Sequence, residues 1–146
     1  MKKVFMVLVA NFAVSALSAQ AVSCDKCDLR NVSFINAHIK ELNEDIVERF
    51  LCTLDYSCKM NPKFLQLSNE TLYKVLNDKP ELVVACLRKY NTINKKLVYE
   101  MIENPTVKYD FEKILKQVST INDSTKAKRM VAMSLKKASL RMKKRE

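Results

Sequence analysis

The sequence predicts an all-α fold: a compact bundle of about five to six short helices. Three observations carry this. Apolar residues recur at spacings of three and four through most of the chain after residue 33, the period of a helix with one buried face. No window shows the strict two-residue alternation of a half-buried strand. Glycine is absent from all 146 residues, so the residue that tight two-residue hairpins use for positive φ is missing. Hydrophobic residues make up 48% of the chain, enough to build a core and to argue against global disorder.

The elements follow in order. Residues 34–51 place Ile35, Ile39, Leu42, Ile46, Val47, Phe50 and Leu51 on one face, with Ser33 as the expected N-cap. Asp55 to Pro62 reads as a loop. Phe64, Leu65 and Leu67 form a short apolar patch, and Ser68 is the expected N-cap of a helix carrying Leu72, Tyr73, Val75 and Leu76. Pro80 suits the first position of the next helix, with Asp78 as its cap and Leu82, Val83, Cys86, Leu87 and Tyr90 as its buried face. Asn91 is expected to end it in the left-handed conformation, where Asn substitutes for Gly. Thr92 or Asn94 opens a helix with Ile93, Leu97, Val98, Met101 and Ile102, and Pro105 stops it at Asn104. Residues 107–119 carry Val107, Phe111, Ile114, Leu115 and Val118. Asn122-Asp123-Ser124 is a turn and cap cluster before a last helix from Thr125 to Arg145. Short connections set successive helices side by side and antiparallel. A HEAT-like helical stack is the alternative, suggested by Leu72-x3-Leu76-x3-Pro80-x2-Val83, but no second copy of that spacing follows it.

Residues 1–21 read as a signal peptide rather than as part of the fold. Lys2 and Lys3 precede an apolar stretch from Val4 to Ala16, and Ala19-Gln20-Ala21 is a small-residue cleavage pattern. That stretch is shorter than the ~20 residues needed to span hydrocarbon. The expected mature chain starts at Val22 in the periplasm or outside the cell. Ala21-Val22-Ser23-Cys24 loosely matches a lipobox, so a lipoprotein anchored through Cys24 is the alternative.

Export places five cysteines in a disulfide-permissive compartment. Cys24, Cys27, Cys52 and Cys58 are the disulfide candidates, and Cys86, inside an apolar run, is the free-thiol candidate. Cys52 and Cys58 flank a loop that one bridge would close. Cys24 and Cys27 either bridge each other or reach separately into the domain. Acylation of Cys24 would leave four cysteines for two bridges, which favours the lipoprotein. Cys24-Asp25-Lys26-Cys27 also has sharper readings, each lacking its companions. A redox pair wants a βαβ unit, a zinc site wants a second closely spaced pair, and haem attachment wants His where Asp28 stands. His38, the single histidine, reads as an exposed helix residue.

Charge divides the chain. The formal net charge is +10, yet residues 22–124 balance 15 basic against 15 acidic side chains. Residues 125–146 hold nine cations against Glu146 alone. The expected organisation is a neutral helical domain, 22–124, followed by a basic amphipathic helix, 125–146. Ala127, Val131, Leu135, Ala138 and Met142 make its apolar stripe. Lys126, Arg129, Lys136, Lys137, Arg141, Lys143 and Lys144, with Met133 and Leu140 among them, are the candidate contacts for a partner or a membrane surface.

The functional expectation is a small exported protein-binding module of the inhibitor, immunity or envelope-adaptor type, without catalysis or cofactor. Without glycine there is neither a P-loop nor a dinucleotide fingerprint. No nucleophile–base pair, paired carboxylates or metal cluster stands out, and no small-molecule substrate is indicated. The plainest reading of the tail is a stripe docked on the bundle with its basic face solvated; as a contact surface it suits a protein partner of acidic character. Peripheral attachment to an anionic membrane is the alternative. Nucleic acid fits poorly, because no aromatic residues interleave with the cations.

Overall fold

The structure, a computed structural model, describes residues 24–145; the expected signal segment 1–21 lies outside the described residues. These residues form seven α-helices and no strand: α1 (Leu29–Ala37), α2 (Glu44–Thr53), α3 (Pro62–Asp78), α4 (Pro80–Lys89), α5 (Lys95–Glu103), α6 (Phe111–Thr120) and α7 (Lys126–Lys143). A 3-10 turn, Tyr56–Met60, joins α2 to α3.

Side chains of Asn and Asp start most of these helices. Asp28 accepts a hydrogen bond from the Arg30 N–H, Asn43 from Ile46, Asn61 from Phe64, Asn94 from Leu97 and Asp110 from Lys113. Each satisfies one of the donors that a helix N-terminus leaves unpaired. The C-termini close without left-handed residues: the residues after α2, α4 and α6 (Leu54, Tyr90 and Ile121) turn straight into extended conformation. A glycine-free chain therefore ends its helices by leaving them in allowed backbone regions. Cys27, with φ of 60°, is the one positive-φ residue among those described.

α3 lies at the centre and touches α1, α4, α5, α6 and the 3-10 turn. α7 closes the other side, packing on α4, α5 and α6. One hydrophobic cluster joins all of them, with Tyr73, Phe50, Phe64, Leu72, Leu76, Ile102, Ile114 and Leu135 fully buried. A stacked array would bring each helix against its sequence neighbours alone. Here α3 packs on α6 and α4 on α7, so the fold is a compact bundle and not a HEAT-like stack.

Seven expectations need correction. Ser33 lies inside α1, whose cap is Asp28, and Ile93, though buried, precedes α5, which Asn94 caps. Residues 34–51 are two helices, split at His38–Asn43. The apolar period runs on through the break because Leu42 and Ile39 still face the core from the turn. Ser68 caps nothing: α3 begins six residues earlier, with Asn61 as cap and Pro62 in its first turn. Asp78 is the last residue of α3 rather than a cap, and Lys79 alone separates α3 from α4. Asn91 is not left-handed, because α4 has already ended at Tyr90. Val107 stands outside α6 and is exposed, since Asp110 sets the start of that helix.

Candidate functional site

The cysteines sit at the junction of the N-terminal segment, α2 and the 3-10 turn. Cys24 bonds to Cys52, and Cys27 to Cys58, so the two bridges run in parallel from one turn to the next. The segment also completes the C-terminus of α2. The Lys26 ammonium donates to the Cys52 carbonyl at 2.8 Å, and the Cys27 N–H donates to the Thr53 carbonyl at 3.0 Å. A cation at that end is favoured by the helix dipole. The alternative bridges Cys24–Cys27 and Cys52–Cys58 are thereby excluded. So are a CxxC redox pair and a zinc pair, because each sulfur is already bonded elsewhere. A Cys24 sulfur bonded to Cys52 has no valence left for a lipid thioether, and the odd thiol is Cys86. Two disulfides belong to an oxidising environment, and no described helix is long and apolar enough to cross a membrane.

Cys86 is fully buried in α4 and directs its S–H at the Glu44 carbonyl, 3.5 Å away. Burial pushes its pKa up to about 12, so it stays a neutral, unreactive thiol. His38 is not an exposed helix residue but the half-buried C-cap of α1. Its Nδ1–H donates to the Phe34 carbonyl at 2.8 Å, and its ring stacks on Phe34. Neither group faces a second catalytic side chain. Among the described residues no three His, Cys, Asp or Glu side chains gather as a metal site.

A groove of about 750 Å3 runs between the 3-10 turn, α3 and α5. Leu65, Leu97, Met101 and Pro105 line it, and the Tyr56 hydroxyl closes one wall by donating to Glu100 at 2.9 Å. The volume lies in the ordinary range for small-molecule clefts. Its charges cancel: Asp55 and Glu100 stand with Lys59 and Arg145. Sequence reasoning missed it, because its walls come from segments some forty residues apart and no local pattern joins them.

α7 brings the remaining candidates together. Its inner stripe is core: Val131, Leu135 and Ala138 are fully buried, with Ala127 and Ser134 beside them. The edges are tied down. Glu103, at the end of α5, accepts from Lys137 at 2.8 Å and from Ser134 at 3.3 Å, and Arg141 lies 3.6 Å from its second oxygen. Arg141 also donates to the Glu103 carbonyl at 3.2 Å and to the side chain of Asn104. On the opposite edge Lys128 donates to the Ser119 and Ile121 carbonyls, completing the C-terminus of α6. The outer face between those edges carries Lys126, Arg129, Lys136, Lys143 and Lys144, all exposed and paired with no carboxylate among the described residues. Met133 and Leu140 lie within it, 51% and 61% exposed, too much for either to belong to the core.

The N-terminus of α7 is electrostatically unfavourable in isolation. Its first turn has no acid, Thr125 makes no side-chain cap, and Lys126 and Arg129 stand at the positive end of the helix dipole. No family model, curated protein or solved structure matches this chain.

Proposed function

We propose that the protein is an exported, non-catalytic module that binds an acidic protein through the outer face of α7. The observation that carries this is the composition of that face. An apolar pair is flanked by cations that pair with no acid among the described residues, which is the anatomy of a small interface with an apolar centre and a polar rim. A helix selected for stability alone would place acids near its first turn and intersperse signs. α7 has no acid within its first turn, Asp123 ahead of its cap being already paired with Arg88, and its outer face carries one sign; departures from local consistency concentrate at functional positions. Signal-directed export agrees with the two bridges, which belong to an oxidising compartment.

The membrane reading loses its main support from the packing of α7. An interfacial helix anchors by burying an apolar face among lipid tails. The apolar stripe of α7 faces α4, α5 and α6 instead, leaving Met133 and Leu140 as its exposed apolar residues of any size. Charge attraction to anionic headgroups would remain.

The double variant Lys126→Glu with Arg129→Glu tests the reading. It should raise the thermal midpoint, because acids near a helix N-terminus stabilise by ~0.3–1 kcal/mol each. It should also abolish retention of an acidic partner on the immobilised mature protein, measured with the producing cell's envelope fraction at low and high salt. A variant that is more stable and binds as well as the parent would refute the proposal.

A further inference from the structure

The outer face of α7 has a second order beyond its charge, and the inference drawn from it rests on the binding role proposed above. Lys126, Met133 and Leu140 occupy one heptad position; Arg129, Lys136 and Lys143 occupy the position three residues on. At 100° per residue these six fall within an arc of about 100°. Met133 and Leu140 are thus stacked ~10 Å apart along the axis, on a straight seam, with a cationic row beside it. On the other side stands Lys144, one heptad beyond Lys137, which Glu103 already neutralises. The face is convex and built on a single helix, so it offers no pocket to an isolated side chain. A repeat of seven residues is what a second helix reads when it lies along the first.

We propose that the occupant of this face is an acidic amphipathic helix of the partner protein. It would carry apolar residues one heptad apart against Met133 and Leu140, and Asp or Glu in the flanking positions against the row of Arg129, Lys136 and Lys143 and against Lys144. An anionic surface without that geometry, such as unfolded acidic chain or a lipid headgroup layer, would meet the cations but leave the apolar pair unmatched.

The test uses the full mature protein and a synthetic three-heptad peptide with Leu at one position per heptad and Glu at the flanking positions. A scrambled peptide of equal composition, polyglutamate of equal charge, and phosphatidylglycerol vesicles are the comparison probes. Binding is followed by fluorescence anisotropy or sedimentation, and contacts are mapped from amide chemical shifts. The helical peptide should bind at least tenfold more tightly than the scrambled peptide or polyglutamate. It should shift resonances along α7, and Met133→Ser with Leu140→Ser should weaken it about tenfold with the thermal midpoint unchanged. Equal binding of helical, scrambled and polyglutamate probes overturns the helix inference while leaving α7 as a charge-reading face. So does indifference to the Met133 and Leu140 changes, and so does tighter binding to the vesicles. Indifference of every probe to Arg129→Glu, Lys136→Glu and Lys143→Glu together overturns the function proposed above as well.

Discussion

Ser68 is fully buried in the middle of α3, and its hydroxyl has no hydrogen-bond partner among the described residues. A buried hydroxyl without a partner carries its desolvation cost uncompensated, ~1–3 kcal/mol. Ser68→Ala removes that cost and improves helix propensity, so it should stabilise the protein by about 1 kcal/mol. Urea denaturation checks the sign: a variant less stable than the parent would show that the hydroxyl has a role. The same residue explains a misreading. Serine before an apolar run resembles an N-cap, but Asn61 followed by Pro62 was the stronger start signal in the same segment. It is hidden because α3 is central. Ser68, Asn69 and Thr71 are buried along with Phe64, Leu72 and Leu76, so polar side chains blur the helical period. Asn69 shows why such residues are tolerated inside. Its amide donates to the Met101 and Asn104 carbonyls and accepts from Thr106, holding the turn after α5. No spacing in the sequence announces that role.

Between elements, amphipathic period decides position only where a helix has one buried face. α7 is such a helix, and its stripe of Ala127, Val131, Leu135 and Ala138 was legible, with Met142, its last member, only partly buried. Whether the helix docks at all was not legible, since a stripe that fits a bundle also fits a lipid surface; once it packs on α4, α5 and α6, the exposure of Met133 and Leu140 follows from their angles. Leu135 and Leu140 therefore make an internal control on one helix. Leu135→Ala should destabilise the fold by ~2–5 kcal/mol, because it opens a cavity among α4, α5 and α6. Leu140→Ala should change stability by no more than ~0.5 kcal/mol. Similar losses at both positions, read from thermal melts, would mean that the outer face is also packed. The break between α1 and α2 was illegible for the opposite reason. Ile39 and Leu42 turn towards the core from a non-helical segment, so the three-and-four spacing survives where the helix does not. The cue that remained was Asn43, whose side chain caps Ile46 two residues before Asp45-Ile46-Val47 resumes the helical face.

On the scale of the whole molecule, both bridges join the same two regions, and that makes them interdependent. Cys24–Cys52 and Cys27–Cys58 span 28 and 31 residues. In the loop-entropy account a lone bridge of that span contributes ~3.5 kcal/mol. With one already formed, the second closes only a short ring made of residues 24–27 and 52–58, worth ~2.5 kcal/mol. Replacing either pair by serine should therefore cost about 2–3 kcal/mol, because the surviving bridge still holds the long loop. Replacing both should cost about 6 kcal/mol, which is most of the stability of an ordinary small domain. The loss has a structural route. Without either bridge, Cys27 has nothing to hold its left-handed backbone, which costs a non-glycine residue ~1–2 kcal/mol. The α2 C-terminus then loses the Lys26 and Cys27 donors, and the 3-10 turn that abuts α3 is released. Urea melts of the two paired variants and of the fourfold variant separate the cases. Two folded paired variants and an unfolded fourfold variant are the expected pattern. A fourfold variant as stable as either paired one would show that the helices hold the N-terminal segment without the cysteines.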